Sequence, residues 1–254
     1  MSYKLYSSIS GNGPTIIFLH GFLTSSHYYS RIRKKIDGDF TVVALDLLGH
    51  GKSPKPKQLS YTYQDHIDAI HYTLIELGVK PPFIMAGHSM GALLSLRYAR
   101  NYPGTVRKLL LFNPPMFADA TEAEIDIATS AWRYRAFLFS RAQKQLWRAV
   151  RLLPKNPLKN RHPVGLTDML RASNAARNGS LRNVIMKADI FSEVYNVAIP
   201  TTIIIGKRDR YVYLQNALQA TWPNHVSIRL NKLGHNAIGF HPELGEKYIR
   251  EEVL

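Results

Sequence analysis

Apolar residues in this chain gather in short runs separated by glycine and by polar, helix-period stretches. TIIFLHGF (Thr15–Phe22) opens the series and predicts a strand buried on both faces. FTVVALDL (Phe40–Leu47), PFIMAG (Pro82–Gly87), VRKLLLFNP (Val106–Pro114), TTIIIGK (Thr201–Lys207) and VSIRLNKLG (Val226–Gly234) repeat the pattern. Helical spacing fills the gaps between them. HYYSRIRKKI can follow the first strand as a helix. In YTYQDHIDAIHYTLIELG, the residues Ile67, Ile70, His71, Leu74 and Leu77 share one face. Thr62 and Asp65 have capping-box spacing there, and Gly78 suits the helix end. MGALLSLRYARNY follows the third strand, and HPELGEKYIREEVL closes the chain as a helix.

Strands alternating with helices predict βαβ units, hence an α/β fold with a mostly parallel central sheet and flanking helices. One interval breaks the rhythm. Between Pro115 and Pro200 there is no strand signal, only helical stretches such as SAWRYRAFLFSRAQKQLWRAVRLL. So long an interval is not a structureless loop. It predicts a helical lid over residues 115–189, inserted in a core made of residues 1–114 and 190–254. Asn178-Gly179-Ser180 has the form of a glycosylation sequon and is read as a turn.

Chemistry enters at FIMAGHSMGALLSLRYA (Phe83–Ala99). Gly87-His88-Ser89-Met90-Gly91 is G-x-S-x-G at a strand-to-helix junction, the pattern of a nucleophile elbow. A serine at the apex of so tight a turn needs small neighbours two residues away, because strand and helix cross there. Its Oγ then stands at the carboxyl edge of the sheet, where open α/β folds bind ligands. A serine hydroxyl is a weak nucleophile and needs a base that a third group orients. Asp209, after the strand Thr201–Lys207, and His235, after the last strand, fall at that same edge in the order Ser, Asp, His. An aspartate after a strand is often only a turn former. Order and placement of all three together carry the assignment. Asn113 stands at the end of the fourth strand, where an acid would be an alternative, but it is an amide. His20, His50 and His88 lie beside glycine in turns and read as packing or orienting residues. The backbone N–H groups of Phe22 and Met90 are the candidate oxyanion hole.

FLHGF, ALDLLGHGKS, GHSMGA, GKRD and LGHNA, in this order over nearly the whole chain, resemble the α/β-hydrolase superfamily, in its capped serine esterase, lipase and acyl-transfer branch. Departures are few. Ala92 replaces a frequent glycine, and the segment before the first buried strand is short. The serine between Gly87 and Gly91 argues against relatives with an aspartate nucleophile. The resemblance implies a serine hydrolase cleaving a carboxylic ester of a small molecule, with no metal and no cofactor. An acyl-transferase or thioesterase would use the same residues, and a non-catalytic receptor on this fold is the remaining alternative. Phe22, His88, Trp132, Phe137 and Trp147 are expected at the substrate pocket, with Phe139 also in the apolar lid.

Charge modifies this picture regionally. The formal net charge is +15, from 33 Lys and Arg against 18 Asp and Glu. Residues 131–188 carry thirteen of those cations and one acid, Asp168. In RAQKQLWRAVRLL, Arg141, Lys144, Arg148 and Arg151 share a helical face. Two readings stay open: a solvated outer face, or a surface that meets acidic lipid, an acidic partner or anionic substrates. No recognition motif accompanies the charge, so nucleic acid is not expected as a partner. With no cysteine, thiolate catalysis and disulfides are excluded. The N-terminal stretch has no apolar segment of signal-peptide length, and no run approaches ~18 apolar residues, so the expected location is the cytoplasm.

Overall fold

The computed structural model describes residues 2–119, 121–126, 166–210 and 213–253. Seven strands form one sheet: β1 (Ser7–Ser10), β2 (Thr15–Leu19), β3 (Thr41–Leu45), β4 (Phe83–His88), β5 (Val106–Phe112), β6 (Thr201–Gly206) and β7 (Val226–Asn231). Their spatial order is β1-β3-β2-β4-β5-β6-β7. β1 pairs antiparallel with β3 at one edge, and every other pair is parallel. Helices α1 (Ser30–Ile36), α2 (Tyr63–Glu76) and α3 (Met90–Asn101) join the first parallel strands. The six strands expected from apolar runs are all present. β1 is additional.

Side chains alternate across a strand, so each apolar run feeds two cores at once. Ile17 and Leu19, Val43 and Leu45, Met85, Leu109 and Leu111 pack into one cluster. Ile16 and Phe18, Val42 and Ala44, Ile84 and Ala86, Leu110 and Phe112 pack into the other. Each of the Val, Ile, Leu, Met and Phe side chains among them, fully buried, contributes about 1.5–3 kcal/mol relative to exposure. α2 opens on the capping box foreseen for Thr62 and Asp65, with both reciprocal bonds made.

From β2 the chain runs outward to β3, then returns to place β4 on β2's other side. The sheet's switch point therefore lies between the carboxyl ends of β2 and β4. The loop carrying Phe22 and the turn carrying Ser89 leave the sheet at these two ends.

The described part of the β5–β6 connection contains no strand and carries helices, including α4 (Leu166–Arg171) and α5 (Asn174–Asn183). The sequon expected to be a turn lies inside α5. The glycine there serves packing: a Cβ on Gly179 would stand 2.4 Å from the Ser60 carbonyl oxygen. The same helix closes over Gly49, where a Cβ would come 2.2 Å from that of Ala176, and Ser180 Oγ lies 3.0 Å from His66 Nε2. Trp132, Phe137, Phe139, Trp147 and the cations Arg141 to Arg151 lie outside the described residues. Among the described residues no helix is long and apolar enough to cross a membrane.

Candidate active site

Ser89 joins β4 directly to α3 with φ 53° and ψ −119°. A non-glycine residue in this region is strained by about 1–3 kcal/mol and persists only where its surroundings hold it. The two glycines explain how they do. A Cβ on Gly87 would lie 2.3 Å from the Gly91 carbonyl oxygen, and one on Gly91 would lie 2.0 Å from that of Leu19. Bare backbone therefore lets β4, α3 and the end of β2 meet at one point. The Ser89 N–H donates to Phe112 O at 2.9 Å, tying the turn to β5 as well.

The loop after β2 is held by its own buried side chains. His20 Nε2 accepts the Leu47 N–H at 2.9 Å, so the ring's proton sits on Nδ1 and donates to Gly21 O at 2.7 Å. Thr24 Oγ1 donates to the same oxygen at 2.9 Å. In a trans peptide the C=O and N–H point in opposite directions. Fixing Gly21 C=O among these donors therefore turns the Phe22 N–H away from them. Among the described residues neither the Phe22 nor the Met90 N–H has a hydrogen-bond partner. A Cβ on Gly21 would stand 3.2 Å from Ser89 Cβ, so this loop lies against the serine. Phe22 is partly buried, its ring edge-on to His50 at 6.3 Å.

Asp209 and His235 come from the turns after β6 and β7. Arg208 N–H donates to Leu233 O at 3.0 Å and lashes the two turns together. His235 Nδ1 lies 2.7 Å from Asp209 Oδ2; the aspartate side chain is wholly buried and the imidazole 17% exposed. The bond orients the ring and, in the neutral form, places its proton on Nδ1, leaving Nε2 as an acceptor. Asn113, at a strand end where an acid would be an alternative, contributes hydrogen bonds instead. Its amide Nδ2 donates to Gly234 O and His235 O, and its Oδ1 accepts the Gly206 N–H. No local signal marks that role, because its partners are about a hundred residues away along the chain.

His88 sits behind the histidine, 1% exposed, stacked on Tyr28 at 4.6 Å and 4.8 Å from the His235 ring. Burial, then the neighbouring His235, holds its pKa well below the usual histidine value. Burial likewise lowers His20, against a partial offset from Asp46, and lowers His50 strongly, with His20 adding to the effect. These three rings are neutral structural groups at neutral pH. Of the residues expected at the site, the structure brings Phe22, Ser89 and Met90 together at the switch point and joins Asp209 to His235. Trp132, Phe137 and Trp147 lie outside the described residues.

A sequence model described as the alpha/beta hydrolase fold matches residues 14–242. A probable lysophospholipase, BODYGUARD 4 of Arabidopsis thaliana, is 35% identical over 46% of this chain and 29% of its own length. The chain thus spans under a third of that plant relative's length. The 2-(acetamidomethylene)succinate hydrolase of Mesorhizobium japonicum is 29% identical over 80% of this chain and 73% of that protein. Among solved structures, a thermophilic esterase from Thermogutta terrifontis superposes with a TM-score of 0.73 at 21% identity, covering 98% of this chain and 92% of that one.

Proposed function

The chain belongs to the alpha/beta hydrolase family, and from that premise we propose that it is a serine hydrolase acting on a carboxylic ester of a small molecule. The observation that carries this reading is a strained Ser89 at the strand–helix elbow, on the sheet edge where Asp209 holds the imidazole of His235 at 2.7 Å. In this reading His235 Nε2 takes the proton of Ser89 Oγ as the oxygen attacks the ester carbonyl. The Phe22 and Met90 N–H groups receive the developing oxyanion, which is where hydrogen bonds help most. His235 returns the proton to the leaving alkoxide, then activates a water that releases the acyl group. Asp209 keeps the imidazole in its productive tautomer and stabilises the imidazolium without becoming protonated. The lid expected over residues 115–189 would cap this edge and shape the pocket; residues 127–165 of it lie outside the described residues. The description of the plant relative as a probable lysophospholipase supports an ester substrate.

The test is a panel of p-nitrophenyl esters of graded acyl length, run with the parent, Ser89→Ala and Asp209→Asn. Ser89→Ala is expected to lose about 10⁴-fold or more in kcat while folding normally, and Asp209→Asn to lose about 10⁴-fold at unchanged shape. Activity of Ser89→Ala within about tenfold of the parent would overturn the assignment.

A further inference from the structure

Among the described residues four non-glycine positions have positive φ, and three of them surround the site: Leu23, Ser89 and Asn113. Leu23 and Ser89 belong to the loop and the elbow already described. Asn113, with φ 46°, ends β5, takes no part in the chemistry and is 3% exposed. Backbone strain at a buried amide calls for a reason beyond packing.

Its side chain supplies one. Asn113 Oδ1 accepts the Gly206 N–H at 2.9 Å, at the end of β6; three residues on, the Asp209 N–H donates to Gly206 O at 2.9 Å. Asn113 Nδ2 donates to Gly234 O at 3.1 Å and to His235 O at 2.8 Å. One planar amide thus grips the turn of the acid and the turn of the base, with the donor and acceptor ends each used. The His235 carbonyl has a second donor: His88 Nε2, at 2.7 Å, can meet an oxygen acceptor only by carrying the proton. His88 is the residue before Ser89. The backbone of His235 is therefore pinned from the strand that presents the serine and from the strand beside it.

We propose that Asn113 and His88 are positioning residues that clamp the His235 carbonyl and so hold the imidazole in register with both Asp209 and Ser89. The inference rests on the serine hydrolase reading for its effect on rate, but the clamp itself is a statement about the Asp209–His235 bond. Without the clamp the turns after β6 and β7 keep the Arg208–Leu233 backbone bond and the Asp209–His235 bond, but the His235 carbonyl loses the donors described above and the imidazole gains freedom that the reaction cannot use. A misplacement of about 1 Å costs on the order of 100-fold in rate.

The discriminating change is Asn113→Asp. It keeps the shape and an acceptor for Gly206 N–H, but turns a carboxylate oxygen towards two carbonyl oxygens where the amide donated. His88→Gln keeps an N–H donor near the Nε2 position, whereas His88→Leu removes it. The four proteins and Ser89→Ala are compared for ester hydrolysis, thermal midpoint and the low-field proton resonance of His235 Nδ1–H bonded to Asp209. Asn113→Asp and His88→Leu are expected to lose about 100-fold in kcat with KM within about threefold, and to lose the sharp resonance through solvent exchange. His88→Gln should recover most of both. A folded Asn113→Asp with kcat within about threefold of the parent and the resonance intact overturns the proposal, and so does an equal loss in both His88 variants. Should Asn113→Asp fail to fold, the His88 pair decides alone. Ser89→Ala separates the two readings: if it keeps the parent rate, the nucleophile assignment falls and the resonance alone judges the clamp.

Discussion

Gly91→Ala is a one-methyl perturbation on which two physical effects predict opposite signs. Gly91 lies in the first turn of α3, and alanine is favoured over glycine in a helix by about 1 kcal/mol. Propensity alone therefore predicts a more stable protein. Packing predicts the reverse. The new Cβ would stand 2.0 Å from Leu19 O and 2.6 Å from His20 O, while ordinary contact begins at 3.4 Å. The shortfall at Leu19, about 1.4 Å, falls on backbone with no flexible side chain to give way. Overpacking of this kind costs about 1–3 kcal/mol or more, which outweighs the propensity gain. Relief comes only by separating α3 from the end of β2, which moves Ser89 relative to Phe22. At about 100-fold per ångström of misplacement, kcat should fall by two orders of magnitude or more. The assay is urea unfolding beside ester hydrolysis, with Gly38→Ala as the control. Gly38 has negative φ and nothing within 4 Å of an added Cβ, so that variant should stay within about 0.5 kcal/mol of the parent. If Gly91→Ala is as stable as the parent and retains kcat within about threefold, the tight crossing of strand, helix and loop is refuted.

Three further outcomes follow from the same contacts. His66 is buried, and desolvation, partly offset by Asp65, lowers its pKa to about 4. The unfolded chain, titrating near about 6.5, therefore takes up the proton first. Stability is at its full value above pH 6.5 and is lost as the pH falls towards 4, by about 3 kcal/mol for this group. His66→Gln should flatten that slope in urea titrations at several pH values; an unchanged slope removes His66 as its source. Thr24→Val deletes the hydroxyl bond to Gly21 O and should cost about 1 kcal/mol of stability, with a larger proportional loss in kcat than in KM. Equal stability and kcat would show that this bond does not orient the Phe22 peptide. Arg97 bonds Glu193 through both of its ends and lies over the Tyr63 ring at 4.2 Å. Arg97→Met should cost about 3–5 kcal/mol, because Glu193, 5% exposed, loses its partner in a buried setting; a loss below about 1 kcal/mol would show the pair to be screened.

What could be read from the sequence was local. The apolar runs named six strands because central strands of a parallel sheet are buried on both faces, and the glycines around Ser89 named the elbow because strand and helix cross within five residues. β1 carries no such signal, since Ser7-Ser8-Ile9-Ser10 has no apolar pattern. It is an edge strand held by its ladder to Val42–Leu45. Gly179 was misleading for the converse reason: a glycine beside an asparagine suggests a turn, yet its smallness answers to Ser60, more than a hundred residues earlier. Asp209 and His235 were legible by their strand-end positions. Asn113 was not, because its hydrogen bonds depend on how β5, β6 and β7 are ordered in space, and no spacing along the chain encodes that order.

The most direct measurement is the site and rate of covalent modification by a fluorophosphonate, followed by intact mass and peptide mapping. An activated serine attacks such a probe without any knowledge of the natural ester. One adduct per chain is expected, on Ser89, absent in Ser89→Ala and slowed by about 10³-fold or more in Asp209→Asn. No adduct on the folded parent protein, or an adduct on another serine with ester hydrolysis surviving in Ser89→Ala, would contradict it.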